Sequence, residues 1–502
     1  MTFPAFPAIV YQLSPAILHP RLRALEASDI GSRLARGVFW TMAGSVISRG
    51  LMLCAMILVA RILGKTGYGE FGMIQSTVGM FGVFAGFGLG LTATKHVAEL
   101  RERDPERAGR IVGLSGVFAL VTGGLMAIGL IVFAPWIAES VINAPHLSGV
   151  LRIGAIILFL NALNGAQTGA LSGLEAFKTI AVVNFAVGLL SFPILVGGAL
   201  IAGLSGAVWG LAINLGINWL INHLALRHQA QEHKIPLTWR RVGREARVLW
   251  TFSLPAALSG LMVAPSMWAG RAFLTNQPNG YEQLGEFSAA MIFQMPIIYV
   301  AGMIGRPLLA IVSNSGNDIS DGLGTLNMLS SWVIGVSVAI PLICFPEVIE
   351  MFLGEEFATH SFRVTISIVI FYTTIMTFKS GLARVMAARN LLWLGVVSNA
   401  LWSLILISSA YLLSEFGATG LALSFALAYA VNTVVIVPIY YARNLVPKGT
   451  LISMETFLIW IALFALVLLN VFDISLIARI GAFLVASIVA ALSFGRLIKN
   501  AA

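Results

Sequence analysis

Apolar residues in this chain fall in long blocks separated by short polar turns, and that pattern restricts its fold more than any single motif. Residues 121–134 and 194–202 run almost free of polar groups. Many blocks approach the roughly 20 residues that a helix needs to cross a bilayer. In hydrocarbon every backbone N–H and C=O must be satisfied inside the protein, so a chain of such blocks becomes a helix bundle. Charge content agrees: 11% of the 502 residues are charged, against roughly 25% in soluble domains, too few to coat a water-facing surface. The 50 glycines fit as well, because small residues let membrane helices approach closely.

The blocks predict an all-α polytopic membrane protein of about fourteen transmembrane helices. They lie near residues 38–60, 72–94, 111–134, 150–171, 180–202, 206–226, 248–270, 287–312, 326–346, 363–385, 392–413, 419–441, 455–472 and 475–495. Pro193, Pro255, Pro265, Pro296 and Pro341 fall inside these spans, where neighbouring helices can satisfy the backbone groups a proline frees. The first 36 residues carry their arginines (21, 23, 33 and 36) after their apolar stretch. A secretory signal has the opposite order, so this segment reads as a cytoplasmic tail.

Basic residues set the expected orientation. With the N-terminus in the cytoplasm, 24 of the 31 lysines and arginines fall on the cytoplasmic side and six on the other, with Arg49 mid-span. That bias places both termini in the cytoplasm. It also accounts for the net charge of +9 without a nucleic-acid partner. Glu347, Glu350, Glu355 and Glu356 cluster in the opposite loops.

The chain also repeats itself. Val38-Phe39-Trp40-Thr41 matches Val248-Leu249-Trp250-Thr251, Gly50-Leu51-Met52 matches Gly260-Leu261-Met262, and Arg61 matches Arg271, all at an offset of 210 residues. After a six-residue insertion, Gly67-Tyr68 and Gly69-Glu70-Phe71 match Gly280-Tyr281 and Gly285-Glu286-Phe287. Span one then corresponds to span seven. An even number of spans separates them, so the halves are parallel repeats about an axis along the membrane normal. The expected organisation is a tail at 1–37, an N-lobe of six helices at 38–226 and a basic linker at 227–247. A C-lobe of six helices follows at 248–441, then two extra helices and a cytoplasmic C-terminus at 442–502.

The segment Ala60-Arg61-Ile62-Leu63-Gly64-Lys65-Thr66-Gly67-Tyr68-Gly69-Glu70-Phe71 resembles the first outer loop of Wzx-type polysaccharide flippases. Gly86-Phe87-Gly88-Leu89-Gly90 with Thr94-Lys95 resembles that family's second span, and Ser172-Gly173-Leu174-Glu175-Ala176-Phe177 its loop after span four. The first 200 residues carry most of the likeness, which also extends to MATE drug exporters and the lipid II flippase. The resemblance implies two six-helix lobes around a central cavity, with access alternating between the two membrane faces. It implies an undecaprenyl-pyrophosphate-linked oligosaccharide as cargo, moved between leaflets of a bacterial inner membrane. Membrane lipids and proteins of polysaccharide polymerisation and assembly are the partners this implies.

Candidate site residues follow from where polar groups enter apolar blocks. Arg49 lies mid-span, where a charge costs a few kcal/mol or more, and no acidic residue is mid-span to meet it. It reads as an anion ligand, against a structural contact to backbone carbonyls. Lys95, Arg306, Lys379 and Arg384 lie near the cytoplasmic ends of spans two, eight and ten. They read as a basic vestibule for a diphosphate, against simple snorkelling to the interface. Arg61 and Arg271, equivalent in the repeat, are gating candidates, with Glu70 or Glu286 as prospective partners. Asn161, Asn164, Gln167, Asn214, Asn218, Asn222 and Gln294 place amides within spans, and the three at 214, 218 and 222 share one helix face. They suit either sugar contact or helix–helix bonding.

No P-loop, metalloprotease motif or paired thiols occur, and Cys54 and Cys344 sit in apolar blocks. No cofactor, metal site or catalytic residue is expected. A cation antiporter of the MATE kind, the main alternative, would need a carboxylate within the membrane. All 22 acidic residues lie in loops or near span ends. A membrane enzyme of polymer assembly lacks an acid or nucleophile pair, and a scaffold without transport does not account for the repeat.

The expected orientation is testable in spheroplasts with Cys54 and Cys344 replaced by Ser. A cysteine at Asn279 reacts with an impermeant thiol reagent and one at Gln231 does not; the opposite labelling inverts the topology.

Overall fold

The computed structural model describes residues 29–86, 88–239, 242–247, 261–314, 321–389, 391–447 and 449–500. The described residues are almost entirely helical, with no strand among them. Eleven helices among them are long and apolar enough to cross a membrane. Most of span seven, residues 248–260, lies outside the described residues.

Two helices are far longer than one crossing requires. Helix α1 (Asp29–Gly86) breaks at Gly64, whose φ of 66° is a left-handed value that favours glycine. Its two arms are the first two predicted spans, and α2 (Leu89–Leu100) completes the second. Next come α3 (Pro105–Trp136), capped by Asp104 accepting from the Arg107 amide, and α4 (Ser148–Gly173). Helix α5 (Phe177–Glu232) breaks at Ala202 and Gly203 and folds back on itself, so that a Cβ at Gly206 would lie 1.9 Å from the Gly198 carbonyl. The predicted fifth and sixth spans are its arms.

A second group follows: α6 (Val263–Thr275), α7 (Gly280–Asn314), α8 (Asp321–Cys344), the short α9 (Glu347–Leu353) and α10 (His360–Ala388). It ends with α11 (Leu392–Leu412) and α12 (Gly417–Ala442). Helix α7 starts seven residues before the predicted span, and α9 was not expected. Within the first group α1 packs on α5, and α4 touches all the others. Within the second group α10 is central, packed against α7, α8 and α12.

The last helices, α13 (Met454–Val471) and α14 (Leu476–Lys499), lie against α8 and α10. Trp332 of α8 holds them: its ring meets Trp460 at 5.4 Å and Phe494 at 4.9 Å. Asn470 donates to the Ile343 carbonyl at 2.8 Å, and Arg479 donates to Glu347 Oε1 at 2.6 Å. The pair thus belongs to the second group.

The two groups meet chiefly through α1 and α7, at the end of the bundle that carries Lys65. A Cβ at Gly69 would lie 1.9 Å from the Tyr281 carbonyl, and one at Gly285 would lie 1.9 Å from the Lys65 carbonyl. These contacts are reciprocal under the repeat, since 285 less 69 and 281 less 65 give the same offset of 216. A Cβ at Gly72 would lie 2.5 Å from Oγ of Ser288, its own counterpart at that offset. Such self-complementary contacts are the mark of a two-fold relation, and the sequence repeat and this packing point to the same axis. Two backbones can approach this closely only where neither carries a side chain.

Gly285→Val should therefore lower the stability of the purified protein by about 1–3 kcal/mol, the usual cost of overpacking. Gly79→Ala, whose added carbon meets nothing within 4 Å, should change it by less than about 1 kcal/mol. Equal thermal melting of wild type and Gly285→Val would show that α1 and α7 do not cross here.

Candidate functional site

Around the glycine crossing a set of polar contacts joins the two groups. Lys65 is buried and its ammonium donates to Glu286 Oε1 at 2.6 Å, with Glu282 at 3.7 Å. Glu286 is 2% exposed and also accepts from Thr359 Oγ1 at 3.1 Å and Ser361 Oγ at 2.8 Å. The Lys65 amide donates to Glu356 Oε2 at 3.2 Å. Tyr281 donates to the Ile142 carbonyl, and Asn276 to that of Val141, both at 2.8 Å. Trp268 donates to Thr77 Oγ1 at 3.0 Å. A lysine and a carboxylate taken out of water together need such satisfied geometry to balance the desolvation cost.

The gating arginines do not have the partners anticipated from sequence. Glu286 is taken by Lys65, and Glu70 by His146 at 2.6 Å. Arg61 is exposed, with its side chain near Gly354, and Arg271 lies close to the buried Tyr68 and Tyr372. The sequence reading passed over Lys65 because it sits one turn beyond the arginine that the repeat highlighted. The sequence match pairs Tyr281 with Tyr68, so the repeat carries no signal for Lys65, and only the fold brings it to Glu286.

Arg49, on the first arm of α1, is exposed and stacks over Tyr299 of α7, with 4.2 Å from the guanidinium carbon to the ring centroid. That is within the range of a cation–π contact, worth about 0.5–1 kcal/mol at exposed sites. No carboxylate among the described residues pairs with it. An aromatic partner 250 residues away leaves no mark in the local sequence around Arg49. Arg49 therefore faces the second group from the first, carrying a charge that nothing in the described protein neutralises.

Two more cations lie within the second group, Lys379 partly exposed and Arg384 buried. Lys379 of α10 hydrogen-bonds Asn432 Oδ1 of α12, and Asn432 donates to the Ser398 carbonyl at 2.8 Å. Arg384 is 8% exposed; it donates to Asn327 Oδ1 at 2.7 Å and Ser331 Oγ at 3.0 Å, both on α8, and to the Asn327 carbonyl. The partners of both are neutral, so the positive charges remain. Lys95 is exposed on α2. Arg306 falls on α7 at a position whose side chain lies outside the described residues.

The amides divide. Asn164 donates to the Leu215 carbonyl, Asn214 to that of Val187, Asn222 to Asn218 Oδ1 at 2.6 Å, and Gln294 to Thr373 Oγ1 at 3.0 Å. Asn164, Asn214, Asn222 and Gln294 are buried; the bonds of Asn164 and Gln294 join separate helices, that of Asn214 joins the two arms of α5, and that of Asn222 stays within one arm. Asn161 is exposed on α4, and Gln167 and Asn218 are partly exposed.

These features define a polytopic helical membrane protein built from two groups that close on a two-fold glycine crossing. Residues 34–313, more than half of the chain, match the family described as "Polysaccharide biosynthesis protein", and the chain belongs to that family. It is 24% identical over 419 residues to the EPS I polysaccharide export inner membrane protein EpsE of Ralstonia nicotianae, covering 82% of this chain and 92% of that protein. It is 26% identical over 188 residues to the lipid III flippase of Escherichia coli K12, covering 36% of this chain and 43% of that one. Among solved structures, the lipid II flippase MurJ in an inward closed conformation superposes with a TM-score of 0.65. It covers 91% of this chain and 99% of its own at 16% identity. An inward-facing MATE transporter of the MOP superfamily superposes with a TM-score of 0.59, covering 81% and 98% at 14% identity. The fold is thus that of the MOP superfamily.

The Lys65–Glu286 pair makes a quantitative prediction. Lys65→Met leaves a buried carboxylate uncompensated and should destabilise the protein by about 3–5 kcal/mol. Adding Glu286→Gln should recover much of that loss, because the remaining amide is neutral. If the double variant melts no higher than the single one, the two residues do not act as a pair.

Proposed function

We propose that this protein is a flippase rather than an enzyme. In this reading it carries an undecaprenyl-pyrophosphate-linked oligosaccharide from the cytoplasmic to the periplasmic leaflet of the inner membrane, with both termini cytoplasmic and about fourteen spans. The observation that carries the reading is Arg49: an exposed mid-span cation set between the two groups, over Tyr299 and without a carboxylate. A drug antiporter would need an acid there, whereas a diphosphate needs a cation. Family membership and the named exporters and flippases among its relatives support the same cargo class.

The division at 38–226 and 248–441, joined by the basic linker 227–247, supplies two lobes that can rock against each other. Closure at the Lys65 end corresponds to a cavity reached from the cytoplasm. Lys95, Arg306, Lys379 and Arg384 would then draw the headgroup in from the inner leaflet. A guanidinium holds two phosphate oxygens at once, so Arg49 would fix the diphosphate, while Asn161 and Asn218 offer amides to sugar hydroxyls. Opening would break Lys65 from Glu286 and expose the cavity to the other face, with Arg61 and Arg271 at its rim.

The test is surface polysaccharide display in a flippase-null cell, with protein abundance measured alongside. Arg49→Ala should insert normally, since removing an uncompensated charge relieves a cost, yet lose display. Arg49→Lys should keep part of it by retaining the charge without the fork. Full display by Arg49→Ala at equal abundance would remove Arg49 from the substrate site.

A further inference from the structure

We propose that a pocket on the lateral face of the first helix group, between α3, α4, α5 and the linker, holds the phosphate head of an anionic phospholipid from the surrounding leaflet. The cavity has a volume of about 600 Å3. Every residue lining it lies between Val112 and Trp239, so none belongs to the second group, and a ligand here is not passed between the two.

The pocket is built rather than incidental. Its roof is the start of the linker, which is fixed on α3. A Cβ at Gly109 would lie 2.0 Å from the Pro236 carbonyl, and one at Gly113 would lie 2.1 Å from that of Thr238. Ile235 is buried beneath it. Further along, Glu245 is buried and accepts from Arg107 Nε at 2.9 Å and Arg110 Nε at 3.4 Å. On the floor, Trp219 stacks on His223, with ring centroids 5.7 Å apart and planes 20° apart. Gln167 pins that indole, accepting from Trp219 Nε1 and donating to the Trp219 carbonyl at 3.2 Å each when its amide is turned to suit them.

Polarity in the pocket has a direction. Leu120 and Leu163 line its deeper, mid-helix side, while His223 and Arg227, one turn apart on one face of α5, line the side toward the linker. Arg227 is exposed, and no carboxylate among the described residues pairs with it. Arg101, Arg107 and Arg110, at the same end of the bundle, all have acidic partners. One free guanidinium above an apolar floor complements one phosphate above the first methylenes of its chains. The rim sits at the level of the membrane interface: Leu237 and Trp239 of the linker are exposed beside it, and tryptophan concentrates at that level. The cavity fits a phospholipid head with part of its chains. A polyprenyl diphosphate bearing an oligosaccharide exceeds it, which favours the bulk lipid over the cargo.

Native mass spectrometry of the full-length protein, released from detergent after addition of phosphatidylglycerol or phosphatidylethanolamine, tests the assignment. Wild type should retain one phosphatidylglycerol more strongly than phosphatidylethanolamine. Arg227→Gln should weaken that binding about tenfold, the loss of one charge-assisted hydrogen bond, and Arg227→Lys should keep most of it. Gly116→Leu should abolish it: Gly116 lines the pocket and an added carbon there meets nothing within 4 Å, so the side chain grows into the cavity. Melting temperatures confirm that each variant is folded, and if Gly116→Leu is not, Arg227→Gln against Arg227→Lys decides. Undiminished phosphatidylglycerol binding in Arg227→Gln overturns the proposal, as does equal retention of the zwitterionic lipid. Displacement of the bound lipid by a polyprenyl phosphate at lower concentration would assign the pocket to the cargo instead.

Discussion

The contact on which this architecture turns is the crossing of α1 and α7, where Gly69 and Gly285 bring two backbones together without an intervening Cβ. Lipid offers helices little hydrophobic reason to associate, so packing distance and interhelical hydrogen bonds decide which surfaces meet. At this crossing both act together. The glycines set the distance, and at that distance Lys65 reaches Glu286 while Glu286 reaches Thr359 and Ser361. The reciprocity of the contact also limits what can move: a shift of one copy relative to the other loosens both halves of the crossing at once.

Charge is distributed around that contact in two ways. At the Lys65 end several cations are matched with carboxylates, Lys65 with Glu286, Arg363 with Glu350 and Arg479 with Glu347, although Arg61 and Arg271 are not among them. Away from it, Arg49, Lys379 and Arg384 meet only rings, amides and hydroxyls. Matched pairs hold structure together and leave no net field. Unmatched cations in a membrane protein carry a persistent cost, which a packing role does not require, since a neutral side chain would make the same hydrogen bonds more cheaply. Their positive field is the physical basis for reading the cargo as an anion.

Much of this was legible in the sequence because membrane helices are written in long, unambiguous apolar runs. The predicted spans fall within the observed helices, overrunning them by at most two residues at an end, wherever those are described, and the offset of the Gly69-Glu70-Phe71 match reappears in the reciprocal contacts of α1 and α7. What stayed hidden depends on contacts across the chain. Lys65 looked like an ordinary loop lysine, and only the fold brings Glu286 to it across 221 residues. Tyr299 looked like one aromatic among many until Arg49 was placed over it. The face shared by Asn214, Asn218 and Asn222 was legible, but not that Asn164 and the Val187 carbonyl would fill it. Periodicity says which residues share a face and is silent about what the face meets.

The linker shows how far the same reasoning extends beyond the spans. Its basic composition marked it as a cytoplasmic connection, which would ordinarily be a loose one. Instead Gly109 and Gly113 of α3 accept the backbone of Pro236 and Thr238 at distances that exclude any side chain, and Glu245 is locked between two arginines. The described linker residues through Glu245 are therefore part of the first group. A connection docked along α3 in this way also roofs the Trp219 pocket, whose lining comes from the first group alone.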